Sequence, residues 1–528
     1  MEHDGRLPRR RPAREGSGLA RRQCGDPRPP RRLGPLRQHA PHPVTRRRTP
    51  MRRLPRPLSR GLAALALTLT PCLALATTDP TPHWFERFKD AADDRTLLRF
   101  LHAMPKGGDL HMHLGGSNHP EWLYEIAVGA ERWGYRFLTR TRIENCRSPA
   151  EATTDSLLLF RTISEHSWEQ LDRCARSEYE RLEDLDAETR AAWMDSLRLD
   201  RPTEGRDEFF DRHWSRIGEI GWSPEIMAET LVYNMKAFGD DGALYLEPGI
   251  SVEGYRTPEG RGIAPMRVVE ILRERLARPD AVATGVTVRF ELAVLRFVPF
   301  AEAALRQRYA FVASQPDFVS VDLVGREDDD KGYPLRFLDT FRELRRTHGD
   351  VSLSIHGGEV DEPNAHVRDT LLLGADRIGH GVNLITDPDT MLLMKGGPWM
   401  VEINLISNLL LEYVDDYDQH PFPEYLRFGI PVALSTDDRG MWDSTLSDEF
   451  FVAVREFDLS WAEIKLLSRN SLRHAFVEED VKAELLAEYD RRIAAFERDF
   501  SRGGVDAVER TPPQYRGFLC RRYDVCAP

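Results

Sequence analysis

Downstream of residue 76, short apolar runs rich in Val, Ile and Leu alternate with longer stretches whose apolar positions recur at helical spacing, the rhythm of parallel β/α units. Eight runs read as strands. They are GGDLHMH ending at His113, ALYLEPGI at 243–250, VTVRFELAVL at 286–295, FVSVDLVG at 318–325, VSLSIHGGE at 351–359, DRIGHGVNL at 376–384, WMVEINLIS at 399–407 and IPVALSTDD at 430–438. Eight such units close a barrel, so the predicted fold is α/β, a (β/α)8 TIM-type barrel. One interval breaks the rhythm: about 130 residues separate His113 from the second strand, far beyond an ordinary βα connection. Residues 130–225, with several Trp-bearing helical patterns, are therefore predicted to be an inserted helical subdomain. Helical patterns rich in Glu, Arg, Leu and Ala run from about 461 to 500, and a short Pro-containing tail follows.

The pattern upstream is of another kind. The first 60 residues hold 18 Lys and Arg against 4 Asp and Glu, with many prolines and hardly an apolar run. Residues 51–76, MRRLPRPLSRGLAALALTLTPCLALA, combine a Met, a basic stretch, an apolar run too short to span a bilayer comfortably, and a small-x-small site at Ala74-Leu75-Ala76. This is the form of a secretory signal peptide starting at Met51. Residues 1–50 then read as a mis-called N-terminal extension; a basic arm binding nucleic acid or membrane is the alternative. The body, 77–528, is predicted to be one metal-dependent barrel with no further membrane span, exported to the periplasm or the extracellular space.

Charge and cysteine count support that division. The whole chain carries −12, but the 468 residues after position 60 hold 55 Lys and Arg against 81 Asp and Glu, a balance that argues against a nucleic-acid partner. Four cysteines remain after the signal: Cys146, Cys174, Cys520 and Cys526. In an oxidising compartment their proximity favours Cys146 with Cys174 and Cys520 with Cys526, the alternative being four free thiols.

The candidate chemistry lies at strand ends. Residues i and i+2 of a strand share a face, so His111 and His113 can both point into the barrel mouth. The fifth strand offers His356 and Glu359, the sixth His380, the eighth Asp437 and Asp438. A single buried His is commonly a satisfied core residue and paired aspartates commonly a turn or cap. In this order, each at the C-terminal end of a barrel strand, they point to one centre. Three His and one Asp form a nitrogen and oxygen set suited to Zn2+ with room for a water.

The motifs MPKGGDLHMHLGGS, HGGEV, RIGHGVNL, Ser407-Asn408 and STDD resemble the ordered motifs of the adenosine deaminase branch of the metal-dependent amidohydrolases, over about residues 100–475. The lead-in, the signal peptide and the cysteine-bearing insertion are more loosely similar to the extracellular, growth-factor-like deaminases, which implies a homodimer. The resemblance implies deamination of adenosine and 2′-deoxyadenosine to inosine and ammonia. It makes His111, His113, His356 and Asp437 ligands of one Zn2+ per chain. His380 would hold and deprotonate the water, Glu359 would donate a proton to purine N1, and Asp438 would accept on the N7 side and orient the hydroxide. The backbone N–H of Gly325 would meet N3.

Three positions depart from the family pattern. Gly115 stands where an Asp usually binds the ribose 5′-hydroxyl, a change that favours another 6-aminopurine or modified nucleoside. Arg439 replaces a proline after the paired aspartates and is expected to project a cation at the pocket rim. YLEPGI replaces a Y-x-E-x-R pattern, so a structural arginine is missing. The zinc signature of the cytidine-type deaminases is absent from the mature chain. An extracellular nucleoside-binding or signalling protein on an inactive barrel is the reading from outside enzymes.

Overall fold

The computed structural model describes residues 83–146, 157–328, 331–360 and 362–526. The extension at 1–50 and the signal segment at 51–76 lie outside the described residues. Eight parallel strands form the barrel: β1 (Gly108–His113), β2 (Tyr245–Ile250), β3 (Phe290–Leu295), β4 (Phe318–Val324), β5 (Ser352–Gly357), β6 (Arg377–His380), β7 (Met400–Ile403) and β8 (Val432–Leu434). Each pairs with its neighbour in chain order. Past the end of β8 the chain meets β1 again through a parallel bridge between Met112 and Asp437. The Asp437 N–H donates to His111 O at 2.8 Å and the His113 N–H to Asp437 O at 3.3 Å, so closure happens where the candidate residues stand.

Each strand lies where the apolar pattern puts one, but most are shorter. The run at 286–295 is divided: Thr287–Val288 pairs with Tyr245 and Leu246, and β3 begins after Arg289, where the register shifts. β6 stops at His380 because His380 and Gly381 both take left-handed backbone, φ 63° and 61°, which turns the chain across the mouth. Leu405–Leu410 is already a helix, so the strand predicted to 407 ends at Ile403.

The MPKGG lead-in is a packing device. A Cβ on Gly107 would lie 1.9 Å from Ser468 O and one on Gly108 2.7 Å from Tyr245 O, so β1 enters with no room for side chains. Buried Lys106 donates to Leu101 O and Asp241 O, both at 2.6 Å, satisfying carbonyls at two helix ends. Helices His83–Ala91 and Asp94–Ala103 meet the C-terminal helices Trp461–Arg473 and Glu479–Gly503 through a cluster that includes Trp84, Phe100, Trp461 and Phe496. The pattern read as helix over 461–500 is two helices, the first opened by a capping box between Ser460 and Glu463.

The interval after β1 is not purely helical. Between helices Pro120–Val128 and Pro224–Asp240 lies a three-stranded antiparallel sheet of Thr162–Ser164, Phe137–Arg140 and Tyr179–Arg181. Strands of three or four residues are too short to leave a period-two pattern, which is why the segment reads as helix and loop. Leu138, Ile163 and Tyr179 give it a small core of its own. Cysteines pair as their spacing suggests, Cys146 with Cys174 inside the insertion and Cys520 with Cys526 in the tail.

Candidate active site

The residues singled out by the sequence converge at the C-terminal mouth. His111, His113, His356 and Asp437 each bring one donor atom into a group whose atoms all lie within 4.8 Å of one another. His113 Nε2 is 3.2 Å and His111 Nε2 3.6 Å from Asp437 Oδ1. Asp437 adopts left-handed backbone, φ 54°, an uncommon state for a non-glycine residue that surrounding contacts must hold. Ser407 supplies one of them, donating its hydroxyl to Asp437 Oδ2 at 2.6 Å.

A second ring of carboxylates aims the imidazoles. His111 Nδ1 lies 2.8 Å from Glu402 Oε2 and His356 Nδ1 2.9 Å from Asp322 Oδ2, which commits Nδ1 and turns Nε2 inward. Arg377 neutralises the ring from beneath, bonding Glu402 at 2.5 Å, Glu247 at 2.6 Å and Glu291 at 2.8 Å. Glu247 belongs to YLEPGI, so its charge has a partner despite the arginine missing from that strand. Sequence reasoning missed Glu402, Asp322 and Arg377; the signal available was a charged residue inside an otherwise apolar strand.

Among the described residues, His111 Nε2, His380 Nε2 and Asp438 Oδ1 are buried without a hydrogen-bond partner. Orphaned buried polar atoms are costly. His111 and His380 each bring a donor atom to a cluster that includes His356, and this set, with imidazoles backed by carboxylates, fits a divalent cation and its coordinated water.

Around this centre stand the proton-handling groups. Burial, then the neighbouring Asp437 charge, push the Glu359 carboxyl well above the usual carboxylate range, and the same two causes raise Asp438. Burial lowers His380, so its imidazole is held neutral, with Nε2 3.6 Å from Glu359 Oε1. His380 Nδ1 is 3.0 Å from the Asn408 amide and 3.3 Å from that of Asn404, whose own Oδ1 is orphaned. The Glu359 loop is anchored by a buried pair: Arg296 bonds Glu327 at 2.7 Å and His356 O at 2.8 Å, while Glu327 accepts from the Gly358 N–H at 2.9 Å.

Gly325 lines the same cavity at φ 93°, with the Phe297 ring where a Cβ would stand. A Cβ on Gly116 would lie 1.8 Å from Asp438 Oδ1, so the second glycine of HLGG makes room for that carboxyl. Gly115 faces Trp214 of the insertion, whose Cζ3 would be 2.8 Å from a Cβ there. Arg439 does not reach the rim. It is 1% exposed, stacks 3.8 Å over Phe238 and donates to Asn234 Oδ1 at 2.7 Å, because the turn after Asp438 directs it into the space between helices.

The insertion supplies one side of the wall above the centre. A wide π-type turn, Phe209–His213, and the helical turn Trp214–Ile217 bring Phe209, Phe210 and Trp214 over the mouth. Arg206 and Asp207 pair with Asp328 at 3.2 Å and Arg326 at 2.7 Å, tying this wall to the loop after β4.

Fold and centre together define a (β/α)8 barrel with a histidine–carboxylate group able to hold a metal at its C-terminal mouth. The chain belongs to the adenosine deaminase family, whose sequence model matches residues 223–492. That span includes β2 to β8; β1 and most of the insertion precede it. An adenosine deaminase of Pectobacterium atrosepticum is 33% identical over 195 residues, covering 37% of this chain and 56% of that protein. The chain thus spans little more than half the length of that relative. An adenine deaminase of a Chelativorans strain is 28% identical over 270 residues, 50% of this chain and 77% of that protein. Among solved structures, Arabidopsis ADAL complexed with IMP superposes with a TM-score of 0.55 at 21% identity, over 75% of this chain and 99% of that one.

Proposed function

We propose that this protein is an exported, zinc-dependent adenosine deaminase that hydrolyses adenosine and 2′-deoxyadenosine to inosine and ammonia. The observation that carries the reading is the joining of a four-residue metal-capable group to a raised carboxyl, Glu359, at the base of one cavity, with the neutral imidazole of His380 3.6 Å from Glu359. His111, His113, His356 and Asp437 would hold the ion. When bound, zinc supplies a hydroxide nucleophile at neutral pH by acidifying a water.

The chain's own residues do the rest. Glu359, protonated through burial, gives its proton to purine N1 and makes C6 electrophilic. His380 takes a proton from the attacking water and returns it to the departing amine, which leaves as ammonia, while the C6 hydroxyl proton passes back to Glu359 as the carbonyl forms. Asp438, also raised, donates to N7 rather than accepting there, since N7 is itself an acceptor. The Gly325 N–H serves N3. Export is supported by the residue pattern at 51–76 and by the pairing of all four remaining cysteines.

A second reading, deamination of another 6-aminopurine, is favoured by Gly115, where Trp214 occupies the space of a side chain. Ammonia release from the metal-loaded protein on adenosine, 2′-deoxyadenosine and adenine tests both. Turnover of the nucleosides supports the first, turnover of adenine alone the second, and no release from any aminopurine sinks the deaminase reading.

A further inference from the structure

Away from its polar base the cavity, about 550 Å3 in volume, changes character. Aromatic and aliphatic side chains bound it, Phe210, Trp214, Leu295 and Phe297 among them, and none of the described residues that line it is Lys or Arg. Asn118 is already used: its amide donates to Leu114 O at 2.7 Å and its Oδ1 accepts from Asn234 at 2.8 Å. The Ser251 hydroxyl donates to Glu253 O and accepts from the Glu253 N–H, both at 3.1 Å, which leaves the Glu253 carboxylate and the Tyr255 hydroxyl as partners for sugar hydroxyls.

The reaction decides which end of a purine meets this wall. C6 must lie at the metal-capable group, and N9 is on the opposite edge of the ring system, so the N9 sugar points outward among the aromatic rings. A phosphate there would lose its hydration with no cation to replace it. A 5′-hydroxyl against the Trp214 ring would lose water for no partner, whereas a thioether on an aromatic ring gains contact.

Resting on the deaminase reading above, we propose that the pocket selects an uncharged adenine nucleoside whose sugar ends in an apolar 5′-alkylthio group, with Trp214 as the specificity-determining residue. Trp214 acts by filling the place of a side chain at 115, where Cζ3 would stand 2.8 Å from a Cβ.

The full chain, loaded with zinc, is assayed by ammonia release on adenosine, 5′-deoxyadenosine, 5′-deoxy-5′-methylthioadenosine and AMP. The methylthio compound is expected to exceed adenosine in kcat/KM by about tenfold or more, the discrimination an apolar pocket can supply. 5′-Deoxyadenosine should at least equal adenosine, and AMP should fall below it by more than about 100-fold. Trp214→Ala should cut the methylthio-to-adenosine ratio at least about fivefold, while Trp214→Phe keeps most of it. If Trp214→Ala does not fold, the wild-type order and the Phe variant decide. Adenosine handled better than the methylthio compound, or AMP turned over as well as adenosine, overturns this inference and leaves the deaminase reading standing. An unchanged ratio in folded Trp214→Ala removes Trp214 from the role, and no ammonia from any compound overturns both proposals.

Discussion

The two halves of the cavity are built on different principles. Its floor is polar, stands on the ends of four barrel strands, and is braced by a second ring in which Glu402, Asp322 and Arg377 each hold a neighbour through bonds of 2.5–3.0 Å. Its wall is apolar, comes partly from a segment inserted after β1 and partly from the ends of β2 to β4 and the loops after them, and its inserted part is tied down by two exposed-side ion pairs and by packing. Position on a strand end is set by backbone ladders, so the floor is rigid where chemistry needs sub-ångström placement. The wall needs only shape and dryness, which loops and short helical turns can supply. Chemistry and selectivity are therefore separable here, and substitutions should sort by the half they touch.

Removing a floor ligand is expected to have the largest effect. His111→Ala or Asp437→Ala should lose both metal and turnover, and stoichiometric zinc in either variant, measured by elemental analysis, would refute its assignment. Glu359→Gln should keep metal and fold but lower kcat by about 100-fold or more; a near-normal rate takes Glu359 out of the mechanism. Because its raised carboxyl works while protonated, kcat/KM should fall as pH rises through that raised value, and an alkaline limb unrelated to Glu359 would leave the profile of the Gln variant unchanged in shape. Asp322→Ala, which frees His356 Nδ1, should weaken metal affinity by about tenfold or more; equal affinity by competition with a chelator would show that the carboxylate does not aim the ring. The smallest effect is expected in the insertion: replacing Cys146 and Cys174 by Ser should leave metal content intact and change kcat/KM by less than about tenfold, since the disulfide joins the segment after Phe137–Arg140 to the helical turn Arg173–Arg176, away from the floor. Loss of metal in that variant would mean that the two halves are not separable.

The apolar rhythm alone determined the barrel. Eight Val-, Ile- and Leu-rich runs, separated by helical patterns, leave few other ways to bury their surface, and each candidate residue at a run's end has to face the mouth. His111, His113, His356, Glu359, His380, Asp437 and Asp438 were legible for that reason. The short strands at Phe137–Arg140, Thr162–Ser164 and Tyr179–Arg181 were not, because three or four residues carry no period and their pairing is a property of distant segments. The same holds for Arg439, whose cation is expected at the rim from its place in the chain but lies buried against Phe238 and Asn234. Which carboxylate backs which imidazole, which arginine balances Glu247, and which ring stands over Gly115 all depend on contacts between residues roughly 30 to 300 positions apart. Periodicity reports what one element must bury; only tertiary packing decides what that element is buried against.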